Sequence, residues 1–217
     1  MSRAIGCLFF CAIIVGYGSI AYSAGNANAG NTKSAACAGC HGPDGTSMAP
    51  LFPRLAGQHA KYLSRQLSDF KSQKRTDPSM QAMAAGLSSQ EIEDLGAFYA
   101  ARKPAYPASG KQQSTGNDQD TRVTEESLAA GKTVFIAGNE ATGVAACGAC
   151  HGPAGEGNGP AGFPMLKGQN LPYLIKALND FKEGIRSNDD GAMMRTIAGK
   201  MSKAEINAVS AYLSKLR

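Results

Sequence analysis

Tryptophan is absent from this 217-residue chain, and aromatic residues of every kind make up only 7%. The core that its side chains can build is therefore thin for its length. Alternating apolar patterns of strand length are also missing, which points to an all-α fold. There is no dense Lys/Arg tract and no interleaving of basic with aromatic residues. With a formal net charge of only +5, nucleic-acid binding is excluded, and brief encounters with other proteins suit the surface better. The one long apolar run is N-terminal. Arg3 precedes Leu8 to Ile14, and small residues follow around Ala21 to Gly25. Residues 1–24 read as a secretory signal, because Gly16, Tyr17, Gly18 and Ser19 break the run too early for a membrane anchor. Of six cysteines, Cys7 and Cys11 lie in that signal. The other four belong to two short motifs, so none is left for a disulfide, although an exported chain could form one.

Those motifs are Cys37 to His41 and Cys147 to His151, both reading C-x-x-C-H. This is the pattern of covalent haem attachment. Two thiols on one turn of backbone can each add to a vinyl group at one porphyrin edge, and the following imidazole can bind iron from below. A single copy could equally be a zinc or redox site. Two copies, in matching surroundings behind an export signal, point to two covalently bound haem c groups on Cys37, Cys40, Cys147 and Cys150. His41 and His151 are then the proximal ligands. A haem in each half would supply the apolar bulk that the side chains lack.

The chain repeats itself. Downstream of the motifs, Phe52-Pro53, Leu55, Gly57-Gln58, Tyr62-Leu63, Leu67, Asp69-Phe70-Lys71 and Arg75 recur 111 residues later, and by the last helix the offset is 114. Duplication of one domain explains the match: residues 25–102 and 125–217, with a Pro/Gly-containing polar linker over 103–124. Each unit reads as three helices. The first leads into the motif, over about 27–38 and 126–137. The second covers about 59–73, and its copy starts at Pro172. The third starts at Ser88 and again at Ser202, each with Glu three residues on as a capping box. Gly30 and Gly131 would let the first helix approach the last closely. The segment from Gly138 to Gly143 has no equivalent in the first unit.

The ligand on the other side of each iron decides the function. Three histidines are present, and the spare one, His59, has Asn170 as its repeat partner. A duplicated design does not use it. Methionine is the alternative, its thioether being a soft ligand for haem iron. Counting back seven residues from Leu87 and from its partner Met201 gives Met80 and Met194. Met48 and Met83 face Asn158 and Ile197 instead; Met83 and Met193 remain the local alternatives. A His–Met pair closes the iron in both oxidation states, which is the chemistry of a carrier. A dihaem peroxidase needs an iron that can open and a distal acid–base group, and this chain is therefore read as a non-enzyme.

As a set, the paired C-x-x-C-H-G-P motifs, the F-P-x-L-x-G-Q segments, the D-F-K turns, Met80, Met194 and the linker resemble the bacterial dihaem cytochrome c4 family, over nearly all of the mature chain. That resemblance implies two class I cytochrome c folds packed face to face. It implies a periplasmic electron carrier with redox protein partners: a quinol-oxidising complex or another donor, and a terminal oxidase as acceptor. Membrane association also occurs in that family. It further implies that the carbonyls of Pro53 and Pro164 accept hydrogen bonds from the proximal histidines. Tyr62, Tyr173, Arg75 and Arg186 are repeated polar residues for which three roles stay open: meeting the propionates, meeting the domain interface, or plain solvation and packing.

Overall fold

A computed structural model of the chain describes residues 25–217 apart from 48, 105 and 107–122. The expected signal over 1–24 and most of the expected linker lie outside the described residues. Among the described residues the regular structure is helical, with isolated bridges Asn139–Val144 and Asn158–Phe163 in place of strands. No helix there is long and apolar enough to cross a membrane.

The first unit comprises α1 (Ala27–Ser34), α2 (Ala38–His41), α3 (Ala60–Lys71), α4 (Pro78–Ala85) and α5 (Ser89–Ala100). The second repeats it with α6 (Glu125–Ala137), α7 (Gly148–His151), α8 (Leu171–Lys182), α9 (Met193–Lys200) and α10 (Lys203–Lys215). The expectation of three helices per unit is too low. The C-x-x-C-H motif is itself one helical turn, and α4 and α9 are additional. α4 has no apolar stripe, whereas α9 carries a short one, Met194, Ile197 and Ala198, with Ile197 packed on the core; each buries a single alanine, Ala84 or Ala198. The sequence signal for α4 lies in its start. Asp77 accepts from the Met80 amide as N-cap, and Pro78 takes the first turn, where its missing N–H costs nothing.

The first helix also ends earlier than its pattern suggests. After Ser34, the amides of Ala36, Cys37 and Ala38 bond three residues back, to Lys33, Ser34 and Ala35. This tighter winding turns the chain before the motif begins. Both Ser88 and Ser202 form the expected capping boxes. The faces expected of the last helices are inside: Ile92, Leu95 and Tyr99 in α5, and Ile206, Val209 and Leu213 in α10. Met201 is fully buried among them.

In each unit the first helix crosses the last, α1 on α5 and α6 on α10. The crossing depends on glycine. A Cβ on Gly30 would sit 2.0 Å from the Asp94 carbonyl oxygen, and one on Gly131 would sit 2.0 Å from that of Ala208. Both obstacles are backbone, so neither can step aside. Gly30→Ala or Gly131→Ala should therefore lower stability by about 1–3 kcal/mol, read as a fall in the denaturant midpoint. Gly39→Ala should be close to neutral, since a methyl there meets nothing within 4 Å and the second unit already carries Ala149 at that place.

Candidate functional site

Each motif turn ends on a histidine whose ring is fixed from behind. The His41 Nδ1–H donates to the Pro53 carbonyl at 2.9 Å, and His151 repeats the bond to Pro164 at 2.9 Å. The expected pairing with these prolines is thus observed in both units. It sets the tautomer and leaves Nε2 as the lone-pair nitrogen. Burial lowers the pKa of both imidazoles, against the opposing effect of the proline carbonyl. Each ring is thus held neutral, the state that a metal ligand requires. Phe52 and Phe163 flank the rings, with centroids 6.2 and 6.1 Å away.

The thiols of the motifs are not paired as disulfides. Burial raises the Cys37 thiol pKa and pushes that of Cys147 up to about 11. A redox C-x-x-C site depresses its attacking thiol instead. Among the described residues, no three His, Cys, Asp or Glu side chains gather as a metal-ion ligand set, which a structural zinc site would need. What remains is a pair of thiols on one turn beside a neutral imidazole. Exposed apolar side chains stand on the segments that follow: Leu51, Phe52 and Met83 in the first unit, Ile185 and Met193 in the second. These residues fit a covalently held haem.

Met80 lies in the first turn of α4 and Met194 in the first turn of α9; both are half-buried. Ala84 and Ala198, four residues further on in each helix, are the fully buried anchors, so the two methionines occupy equivalent places. The growth of the offset from 111 to 114 has a structural origin. The second unit inserts a 3-10 turn, Asp190–Ala192, between Arg186 and α9. Gly191 and Ala192 take positive φ there, and Asp189 holds the Arg195 amide and guanidinium.

The repeated polar residues lie at the boundary between the units, paired crosswise. Arg75 donates to the Tyr173 hydroxyl at 3.3 Å, and Arg186 to the Tyr62 hydroxyl at 3.1 Å. Each guanidinium also stacks on a phenylalanine of its own unit, Phe70 or Phe181. Desolvation would raise the Tyr173 pKa, but the two guanidiniums outweigh it and hold the phenol below its ordinary value. His59 is a boundary residue as well, its Nε2–H donating to the Glu156 carbonyl at 2.9 Å. Its repeat partner Asn170 donates to the carbonyls of Phe52 and Ala49 at 2.7 and 3.1 Å.

Several of the residues that matter here were not singled out from the sequence. Gln58 and Gln169 each bond the backbone of the opposite unit, and only the repeated Gly-Gln pair hinted at them. Gln66 has no repeat equivalent, since Ala177 stands at its place. Its Oε1 accepts from Arg75, Arg186 and Asn188 at 2.8, 3.0 and 2.9 Å. Gln66→Leu would strand donors of two guanidiniums at a buried position. It should cost about 2–3 kcal/mol, measured as a lowered denaturant midpoint.

Comparison with known proteins agrees with this geometry. The family model for cytochrome c matches residues 27–101 and again 128–217. Cytochrome c4 of Azotobacter vinelandii is 40% identical over 216 aligned residues, covering 94% of this chain and 95% of that one. A thiosulfate dehydrogenase electron acceptor of Stutzerimonas stutzeri (strain A1501) is 39% identical, with coverage of 90% and 84%. The crystal structure of reduced recombinant cytochrome c4 from Pseudomonas stutzeri superposes with a TM-score of 0.80 at 38% identity, covering 89% of this chain and all of that one. Two cytochrome c domains, each with its own C-x-x-C-H motif, carry two covalently bound haem c groups. The chain belongs to the cytochrome c family and, within it, to the dihaem electron-transfer cytochromes c4.

Proposed function

We propose that this cytochrome works in the periplasm as a one-electron carrier of a respiratory chain. It takes electrons from a quinol-oxidising complex or another donor and passes them toward a terminal oxidase. His41 with Met80, and His151 with Met194, are the residue pairs that would hold the two haem irons. The observation that carries this reading is the twice-made bond from Nδ1 to a proline carbonyl, which leaves Nε2 of each histidine as the nitrogen that would bind iron. The equivalent placement of Met80 and Met194 supports the second half of each pair.

Haem iron supplies the one-electron couple, and a His–Met pair raises its potential. The chain's own part is to bind, orient and exclude. The thiols fix the porphyrin edge, the proline carbonyls orient the imidazoles, and α4 and α9 present the thioethers. With a nitrogen and a sulfur donor both held by the chain, little would rearrange on electron gain, which suits a carrier. The relative named as a thiosulfate dehydrogenase electron acceptor favours a second donor, a thiosulfate-oxidising enzyme. Mixing this protein with each donor and following haem reduction by stopped flow separates the two.

Reduced protein should not bind carbon monoxide. Met80→Ala should open the first haem alone and Met194→Ala the second, each removing that haem's share of the near-infrared methionine–iron band of the oxidised protein. If Met83→Ala or Met193→Ala does this instead, the register is wrong. Carbon monoxide binding by the unmutated protein would overturn the carrier reading. For location, the mature chain should begin near residue 25 and appear in the periplasmic fraction.

A further inference from the structure

We infer that Gln58 and Gln169 are positioning residues acting across the domain boundary, each setting the reduction equilibrium of the haem in the opposite domain. The inference rests on the histidine ligation proposed above. Gln58 belongs to the first domain, yet both ends of its amide are spent on the second. Its Nε2 donates to the Met165 carbonyl at 2.9 Å, and its Oε1 accepts from the Met165 amide at 2.9 Å. Met165 directly follows Pro164, whose carbonyl takes the His151 Nδ1–H. Gln169 mirrors this, donating to the Arg54 carbonyl at 3.0 Å and accepting from the Arg54 amide at 2.8 Å. Arg54 directly follows Pro53, the acceptor for His41.

Both glutamines are buried, and each amide is itself locked. Gln58 Oε1 also accepts from the His59 amide at 3.0 Å, and Gln169 Oε1 from the Asn170 amide at 2.9 Å. A two-point clamp on one residue fixes the peptide planes on either side of it, and one of these planes carries the proline carbonyl. The far domain therefore holds the acceptor that orients the near domain's imidazole. A firm Nδ1–H···O=C bond makes the imidazole a more basic ligand, and a more basic ligand favours ferric iron. Releasing the clamp lets the carbonyl drift, weakens the bond and raises the potential of that haem. The effect crosses over, because the clamp and the iron it governs belong to different domains.

The test is a redox titration of the intact dihaem protein, with each haem resolved by NMR of its methyl resonances. Gln58→Met keeps the volume and removes the clamp. It should favour reduction of the His151 haem by at least about threefold, the change expected when one neutral hydrogen bond loosens; tenfold corresponds to 59 mV for one electron. The His41 haem should move much less. Gln169→Met should give the reverse pattern. If either methionine variant does not accumulate with haem, Gln58→Asn and Gln169→Asn, which withdraw the amide by one methylene, are read in the same way. Equal shifts at both haems, a larger shift within the mutated domain, or no shift would overturn the inference. A fault in the ligation itself would show separately, as loss of the low-spin His–Met spectrum in the unmutated protein.

Discussion

Behind each motif histidine stands a proline carbonyl, and much of the molecule serves to keep it there. An imidazole on a single helical turn has two torsions to lose, and α2 and α7 are too short to restrain it by packing. One hydrogen bond to a loop does so, provided that the loop is stiffer than the turn. The stiffness comes from outside the motif. In the first unit, residues on both sides of Pro53 are bonded by the second: Phe52 by Asn170 and Arg54 by Gln169. In the second unit, Pro164 lies between Met165, clamped by Gln58, and Phe163, which bridges to Asn158 within its own unit. Neither proximal loop is complete without the other domain.

The duplication is exact where the chemistry needs it and loose elsewhere. The motif turn, the proline bond, the glycine crossing and the crosswise Arg–Tyr pairs are all made twice. The departures are local. Gln66 gathers two guanidiniums on one side of the pseudo-symmetric boundary, with only Ala177 opposite. Tyr99 in α5 faces Leu213 in the repeat. Residues 138–143 form a tight loop in the second unit, closed by the bridge from Asn139 to Val144 and tied down by Lys200 and Glu205. A copied scaffold with unequal surroundings gives two haem sites of the same kind in different polar environments, and a potential responds to such differences.

Much of this was legible in the sequence because it depends on residues that permit few alternatives. A C-x-x-C-H motif, a glycine where two helices touch and a Ser-x-x-Glu cap each carry their own physical reason, and all appear where they were expected. The two short helices were not: α4 buries one alanine and leaves no stripe to read, and the stripe of α9 spans only two turns; capping chemistry, not periodicity, starts α4. The boundary between units was legible only as repetition. Tyr62, Tyr173, Arg75 and Arg186 stood out as repeated polar residues, but their crosswise pairing is a long-range fact that no local pattern encodes. The same holds for Gln58 and Gln169, whose partners lie 107 and 115 residues away.

Most side-chain bonds across the boundary end on main-chain atoms: Gln58 on Met165, Gln169 on Arg54, His59 on Glu156, Lys61 on Pro160 and Asn170 on Phe52. A carbonyl oxygen is present whatever residue owns it. At these places the receiving residue can change its side chain without losing the bond, Arg54 excepted, whose own guanidinium donates to the Gly168 carbonyl. At these contacts the constraint falls on the side chain that reaches across, whereas the Arg–Tyr pairs and the bonds to Gln66 constrain the residues on both sides.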